Sequence, residues 1–565
     1  MSVFLTPDLK PFYGGTYFPP EPRYGMPSFM QVLEFVSKLW RDSHEEVVAN
    51  TQQVQKALSE QTAPRGSGEL KKEVLDEGYA ELVSSFDSAH GGFGGAPKFP
   101  LPNSLGFLLR YHFRTGKELA LSSVLKTLDE MMAGGIRDHV GGGFHRYSTD
   151  RLWLVPHFEK MLYDNALLAK VYAEAYQLTG KEEYAEVVHE TIGWLQREMK
   201  DPLGGFYSAQ DADTEQGEGF YYSWTPEDVV KSLGEEQGAA FNRKYGVTAT
   251  GNFDGRSLLH LEPGASSSKE ERAGLSRSRE ALYSARTKRP RPATDDKILT
   301  SWNGLAISAL AFAGVVLKEP ESVRDAAGAA SFILERCTKD GRLLRRYAGG
   351  EAALPGTLED YAFFVQGLLD LFEADPDPRW LAESVRLADI MVKDFEDKDQ
   401  GGFYLTVEAE PVRLKESYDG PTPSGNSVAA LDLIRLAELT GVRDYRRGAE
   451  RTVSFFKGDI ERRPSAHACI LEAVDLAFNG VREVVITAPD AAGTGPMREA
   501  LFRSFVPDRV LLTVTNPTFP ALAKLSGLLE GREPRNKPRG YVCQNFVCKV
   551  PADTTAVLAS QLAGR

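Results

Sequence analysis

The feature that most constrains this chain is a repeated tripeptide. Gly-Gly-Phe occurs at Gly91-Gly92-Phe93, Gly142-Gly143-Phe144, Gly204-Gly205-Phe206 and Gly401-Gly402-Phe403. The first three copies lie roughly 50–60 residues apart and the last gap is about three such steps, the size of a two-helix structural repeat. Amphipathic stretches run between the copies, with apolar residues at helical spacing. Helices are predicted over 70–86, 103–114, 120–133, 160–178, 182–199, 269–285, 303–317, 321–337, 360–373, 379–394, 427–439, 443–457 and 465–478. Such an array forms either an open solenoid or a closed ring. The connections Gly143-Phe144-His145-Arg146-Tyr147 and Gly402-Phe403-Tyr404-Leu405 are aromatic and β-like. They suit short hairpins at one rim of a ring, so the spacing predicts a mainly α chain closed into an α/α toroid.

Different patterns flank the array. Residues 1–20 read as a β-hairpin, with a strand at Val3-Phe4-Leu5-Thr6, a turn at Pro7-Asp8-Leu9-Lys10 and an aromatic strand at 12–18. Pro27 opens a helical face of Phe29, Val32, Leu33, Val36, Leu39 and Trp40, and residues 61–68 have linker composition. After residue 480, Glu483-Val484-Val485-Ile486-Thr487 and residues 509–514 are β-branched strands, with helical stretches near 496–505 and 518–530. The expected division is 1–63, 70–480 and 481–565, the last a small α/β segment. Arg286, Lys288, Arg289 and Arg291 stand among prolines just before Asp295 and Asp296, and read as a solvated linker.

Charge and cysteines remove several function classes. The 66 Lys+Arg against 79 Asp+Glu give −13, which argues against general nucleic-acid binding. The weakly polar run Leu305–Leu317 is too short to span a bilayer. The first residues lack a basic segment and a long apolar core, so a cytoplasmic protein with no membrane partner is expected. The four cysteines Cys337, Cys469, Cys543 and Cys548 exclude a disulfide scaffold and show no zinc spacing. The five-residue step from Cys543 to Cys548 is unlike a redox Cys-x-x-Cys, so these read as buried or idle thiols. With no phosphate-binding loop and no dinucleotide fingerprint, neither a cofactor nor a metal is expected.

The chemistry concentrates in three places. Residues 138–165 hold His139, His145 and His157 with Arg146, Trp153, Glu159, Tyr163 and Asp164, where a loop enters a helix. Histidine exchanges protons near neutral pH, and a helix start favours negative charge. His157, Glu159, Asp164 and His145 are therefore the catalytic candidates, with Arg146, Trp153 and Tyr163 as substrate-binding neighbours. The plainer alternative is that Glu159 and Asp164 cap a helix and His157 bonds a carbonyl. Residues 208–224 alternate Asp211, Asp213 and Glu215 as a calcium loop does, but Gln216 and Tyr222 occupy positions that need Gly and Glu. Carboxylates beside Tyr221, Tyr222 and Trp224 suit sugar hydroxyls and sugar faces better. Asp296, Trp302, Asn303, Glu359, Asp360, Asp419 and Asn426 each stand just before or at a predicted helix start. Each alone is explained as an N-cap. In a closed ring these ends would converge on one mouth as an acidic, aromatic cup. Paired carboxylates there could cleave a glycosidic bond, and histidines could move a proton beside a carbonyl. The residues do not choose between these.

The stretches VFLTPDLKPFYGGTYFPP, FDSAHGGFGGAPKFP, GGIRDHVGGGFHRYSTD, WLVPHFEKMLYDNALLAKVY, DADTEQGEGFYYSW, DDKILTSWNGLAI, TLEDYAF and PSGNSVAA occur in that order. Together they resemble the spermatogenesis-associated protein 20 family of thioredoxin-domain proteins, whose bacterial members are called YyaL-like. The resemblance runs essentially the whole length. It implies an (α/α)6 toroid of the six-hairpin glycosidase-like type, similar to N-acylglucosamine 2-epimerases and several glycoside hydrolases, preceded by a thioredoxin-like domain. By analogy it implies a small sugar-like ligand and epimerase-, isomerase- or glycosidase-like chemistry. A non-catalytic binding protein and a thioredoxin-type redox protein are the alternatives. The Cys-x-x-Cys and Trp-Pro segments expected before the VFLTPD strand are absent. Residues 1–60 therefore read as the last hairpin and C-terminal helix of a thioredoxin fold cut within that domain, and activity through that motif is not carried over.

Overall fold

The computed structural model describes residues 2–23, 25–61, 69–264, 268–408 and 413–563, so the predicted linker lies almost wholly outside the described residues. At the N-terminus β1 (Ser2–Leu5) and β2 (Pro11–Gly15) form an antiparallel hairpin. Helix α1 (Phe29–Asp42) starts from a capping box between Ser28 and Gln31. Helix α2 (His44–Gln61) follows and packs on β2.

Next come α3 (Val74–Ser85), α4 (Pro102–Thr115), α5 (Glu118–Ala133), α6 (Leu162–Thr179) and α7 (Glu182–Trp194). An insert carries α8 (Pro226–Leu233), α9 (Glu235–Lys244) and α10 (Lys269–Arg286). The array resumes with α11 (Thr300–Val316) and α12 (Pro320–Arg336), the hairpin β3 (Arg342–Ala348) and β4 (Glu351–Pro355), then α13 (Leu358–Ala374) and α14 (Pro378–Asp394). It ends with α15 (Gly425–Thr440), α16 (Arg443–Phe455), the short α17 (Lys457–Arg462) and α18 (Ala468–Asn479). Helices α4, α6, α11, α13, α15 and α18 contact one another in that order, and α18 returns to α4, which closes the ring. Helices α3, α5, α7, α12, α14 and α16 form the outer layer. This is the (α/α)6 toroid. Inner helices are apolar nearly all round, as in α11, where residues 303–311 are buried without a break. Outer helices keep one apolar stripe, such as Trp380, Leu381, Leu387, Ala388 and Met391 of α14.

Each Gly-Gly-Phe builds the turn that feeds an inner helix. Asp138 N donates to Gly143 O at 3.0 Å and Gly142 N to Asp138 O at 2.9 Å. Gly142 and Gly143 sit at φ +79° and +78°, which residues with a Cβ rarely adopt. The turn drives Phe144 into the core. An asparagine in the first turn of the next inner helix then clamps that phenylalanine backbone. Asn165 accepts from Phe144 N (2.6 Å) and donates to Phe144 O (3.0 Å). Asn303 does the same to Phe206 and Asn426 to Phe403. A buried lysine seals three of the turns, bonding the turn aspartate and a glycine carbonyl: Lys98 with Asp87 and Gly91, Lys160 with Asp138 and Gly142, and Lys415 with Asp397 and Gly401. A lysine this deep is tolerated because its charge is paired and its protons are used. The aspartate accepts from one more side chain: Arg151 reaches both oxygens of Asp87, Arg286 both oxygens of Asp138, and Tyr404 the same Asp397 oxygen that Lys415 holds.

In the C-terminal segment strands β5 (Arg482–Ala488) and β6 (Arg509–Thr515) are parallel, while β7 (Arg539–Gln544) and β8 (Val547–Cys548) are antiparallel additions. They form a four-stranded sheet in the order β6-β5-β7-β8. Helix α19 (Ala491–Phe502) connects β5 to β6 and packs on α21 (Thr555–Ala563). The helix predicted over 518–530 shrinks to α20 (Phe519–Leu522) and one turn at Gly527–Leu529, because Ser526 leaves the helix to bond the Leu439 carbonyl. Cys543 and Cys548 form a disulfide, which corrects their reading as idle thiols. The two-residue turn Asn545-Phe546, both at positive φ, makes them register partners across β7 and β8.

Candidate functional site

The N-terminal ends of the inner helices meet at one mouth of the toroid. Arg146, His157 and Glu159 are held there by the paired strands Tyr147–Ser148 and Pro156–His157 and by Arg146 N donating to Glu159 O. Arg146 Nη1 lies 2.9 Å from Glu159 Oε2, and His157 Nε2 lies 3.3 Å from the same oxygen. His157 Nδ1 is 2.9 Å from Glu218 Oε1, and its ring stacks on Tyr147. In the first turn of α6, Tyr163 sets its ring edge-on to Trp302 of α11, centroids 4.8 Å apart. Burial raises the Tyr163 phenol, so it stays protonated. Asp164 is 3% exposed and its Oδ2 has no hydrogen-bond partner. Burial pushes this carboxyl well above the usual carboxylate range; Arg146 opposes the shift and Glu159 adds to it.

Across the mouth the carboxyls are also raised. Burial lifts Glu359 at the start of α13, against the pull of Arg345, and it lifts Glu416. Asp419 is pushed up to about 6 by burial, even though it accepts from Ser424 N and Cys469 N at 2.8 Å each. Those bonds tie together the starts of α15 and α18. Asp360 is fully buried, closes a capping box with Thr357 and accepts from Ser301 N at 3.0 Å.

Several predicted ligand contacts are internal instead. Asn303, Asn426 and Asp360 spend their polar atoms on backbone, as described, which corrects their assignment to a ligand. His145 is buried, with Nδ1 3.0 Å from Phe158 O; burial and then Lys160 push it down to about 3, so it is neutral and outside the mouth. Trp153 is buried and donates Nε1–H to His90 O at 2.9 Å. Tyr222 stacks on Phe158, and Trp224 lies under the Arg289 guanidinium in the insert core with Val229, Phe241 and Leu282. Neither ring offers a face to a ligand, because the 208–224 stretch folds as the root of the insert. Asp211, Asp213 and Asp296 remain exposed. The 286–297 stretch is likewise a tether rather than a solvated linker. Arg286 is 1% exposed and forks onto both Asp138 oxygens at 2.7 and 2.9 Å, while Arg289 bonds the carbonyls of Phe220, Tyr221 and Ser223.

Sequence reasoning missed the toroid axis below the mouth. Arg110 lies between Glu174 and Glu472, 2.9 Å from each. Lys170 bonds Asp370 and Ser308, and Arg435 bonds Asp370 and approaches Glu373. Burial lifts Glu472 to about 7 despite Arg110. Arg509 and Arg498 of the C-terminal segment reach Glu373 and close the far end. Two small cavities of about 60 and 110 Å³ remain along this axis. The signal was present: charges three or four apart, such as Lys170/Glu174, Asp370/Glu373 and Asp432/Arg435, interrupt helices that are otherwise apolar. Among the described residues, no group of three or more His, Cys, Asp or Glu side chains could hold a metal ion, and no helix is long and apolar enough to cross a membrane.

Human spermatogenesis-associated protein 20 is 36% identical to this chain, over 98% of this chain and 77% of that protein. The chain belongs to the spermatogenesis-associated protein 20 family. The mouse member gives the same identity and coverage. Within the family architecture, residues 1–59 match a thioredoxin-type DsbH profile described as "Protein of unknown function, DUF255". Among solved structures, cellobiose 2-epimerase from Spirochaeta thermophila is similar at 14% identity, covering 72% of this chain and 84% of that chain with TM-score 0.46. An unsaturated glucuronyl hydrolase specific for heparin is similar at 10% identity, 72% and 96% coverage and TM-score 0.45. Likenesses this distant carry no argument about chemistry, and the toroid of this family member rests on its own closed ring of helices.

Proposed function

We propose that the mouth of the toroid binds a small polyhydroxylated, sugar-like ligand and moves a proton on it. Asp164 is the acid and Glu159 the base, with Arg146 and His157 positioning Glu159. The observation that carries this reading is the contrast between the two carboxyls. Asp164 is buried with an unsatisfied Oδ2 and holds its proton, while Glu159 is paired to Arg146. A buried carboxyl that keeps its proton near neutral pH can serve as a general acid. The Tyr163–Trp302 corner offers an apolar face, and Glu359 and Glu416 are acceptors for hydroxyls.

The test is turnover and thermal shift with panels of aldoses, ketoses and glycosides, on the wild type and on Asp164→Asn and Glu159→Gln. Turnover should fall by roughly 100-fold or more in each variant, the scale of a lost general acid or base. Solvent deuterium retained in an unhydrolysed product would assign epimerisation or isomerisation, and release of a new reducing end would assign glycoside hydrolysis. Absence of any turnover or sugar-induced stabilisation overturns the reading.

A further inference from the structure

The Cys543–Cys548 disulfide bridges the β7–β8 hairpin of the C-terminal segment. Its two sulfurs are unequal. Cys543 is 2% exposed, whereas Cys548 is exposed at the sheet edge. Arg532 stands over both, with Nη2 3.1 Å from Cys543 Sγ and 3.3 Å from Cys548 Sγ. Its Nη1 is buried and has no hydrogen-bond partner. The guanidinium also lies over the Tyr541 ring, 5.5 Å from its centroid, with Glu483 of the neighbouring β5 a nearby charge. A cation whose side-chain hydrogen bonds go to neutral sulfur, with one buried N–H unsatisfied, is poorly served while the disulfide is intact. It is well served when a sulfur beside it becomes a thiolate. The bridge spans only five residues, so it restrains the chain less than a link between distant elements would. The hairpin tip is apolar and open: Phe546, Val547 and Val550 are all exposed.

We propose that Cys543–Cys548 is a thiol–disulfide exchange site that accepts electrons from a protein dithiol docking on the Phe546-Val547 tip. The incoming thiolate attacks the exposed Cys548 Sγ. The Cys543–Cys548 bond breaks, and its electron pair leaves on Cys543 Sγ as a thiolate held by Arg532. A mixed disulfide joins Cys548 to the donor. The donor's second thiol, losing its proton, attacks its own partner sulfur and releases Cys548, which takes up a proton. The donor ends as a disulfide and this chain as a dithiol, two electrons having moved. A leaving thiol with a lowered pKa departs faster, which is the role of Arg532 as a positioning residue.

The experiment mixes the full-length oxidised protein with a reduced Cys-x-x-Cys thioredoxin whose second cysteine is replaced by Ser, so that the mixed disulfide persists. Peptide mass spectrometry should place the adduct on Cys548. Arg532→Gln should slow its formation by roughly tenfold at unchanged circular dichroism, with Arg532→Lys restoring part of the rate. Phe546→Ser with Val547→Ser should slow the protein dithiol but leave the rate with dithiothreitol unchanged, which separates docking from bond reactivity without altering a cysteine. No adduct on the folded protein, an adduct at Cys543, Cys337 or Cys469, or a rate insensitive to Arg532 overturns the proposal.

Discussion

The two ends of the toroid axis use the same side chains differently. At the floor, Arg110, Lys170 and Arg435 interleave with Glu174, Glu472, Asp370 and Glu373, and Arg509 closes the set from the C-terminal segment. At the mouth, Arg146 and Arg345 are fewer than the carboxyls around them, so Asp164, Glu359, Glu416 and Asp419 are all raised by burial. The floor carries more paired charge, though burial also lifts Glu472 and Asp432 there; at the mouth the carboxyls outnumber their cations, and one Asp164 oxygen has no partner. The cavities left along the axis are small, about 110 and 60 Å³.

The contrast breaks most visibly at the floor. Arg110→Ala should lose about 3–5 kcal/mol, because it strands two buried carboxylates. Urea denaturation measures it, and a loss under ~1 kcal/mol would make the floor no more structural than the mouth. Asp164→Asn should do the reverse, costing roughly 100-fold in turnover, about 2.7 kcal/mol in barrier, with the urea midpoint unchanged. A smaller effect separates His145 from the site. Its pKa is about 3 in the fold, against ~6.5 in an unfolded chain. As pH falls below 6.5 the unfolded chain takes a proton that the folded chain refuses, so stability drops toward pH 3. Between pH 7.5 and 5 the wild type should lose about 2 kcal/mol more than His145→Gln. Asp419 acts in the opposite sense: its raised pKa favours the fold as pH falls through 6. It is present in both proteins and cancels in the difference. The smallest effect is the surface control. Arg447→Ala removes an exposed pair with Asp444 and should change stability by less than ~0.5 kcal/mol.

The ring was legible because a helix pair repeats a pattern that neighbouring repeats cannot disguise. All thirteen helices predicted between residues 70 and 478 fall on described ones within a few residues. The insert was only partly legible. Helices α8 and α9 have only 8 and 10 residues, too few for periodicity to stand out. At the mouth, side-chain type alone misled. An asparagine that caps, one that binds a ligand and one that clamps a neighbouring backbone look the same in a sequence, and Asn303 and Asn426 proved to be clamps. Tyr222 and Trp224 looked like sugar platforms because nothing local tells a buried ring from an open one. The axial charges went unread because each helix contributes one or two, and only the closed ring brings Arg110 to Glu472.

The turn aspartates hold one more consequence. Besides the lysine, each accepts from one more side chain that the chain supplies nearby: Arg151 from a loop, Arg286 from the end of a long insertion, Tyr404 from the turn itself. Each turn thus works as a standard fitting. New sequence grafted at the rim needs only one suitable donor to be fastened, and the inner circle keeps its spacing whatever is hung upon it.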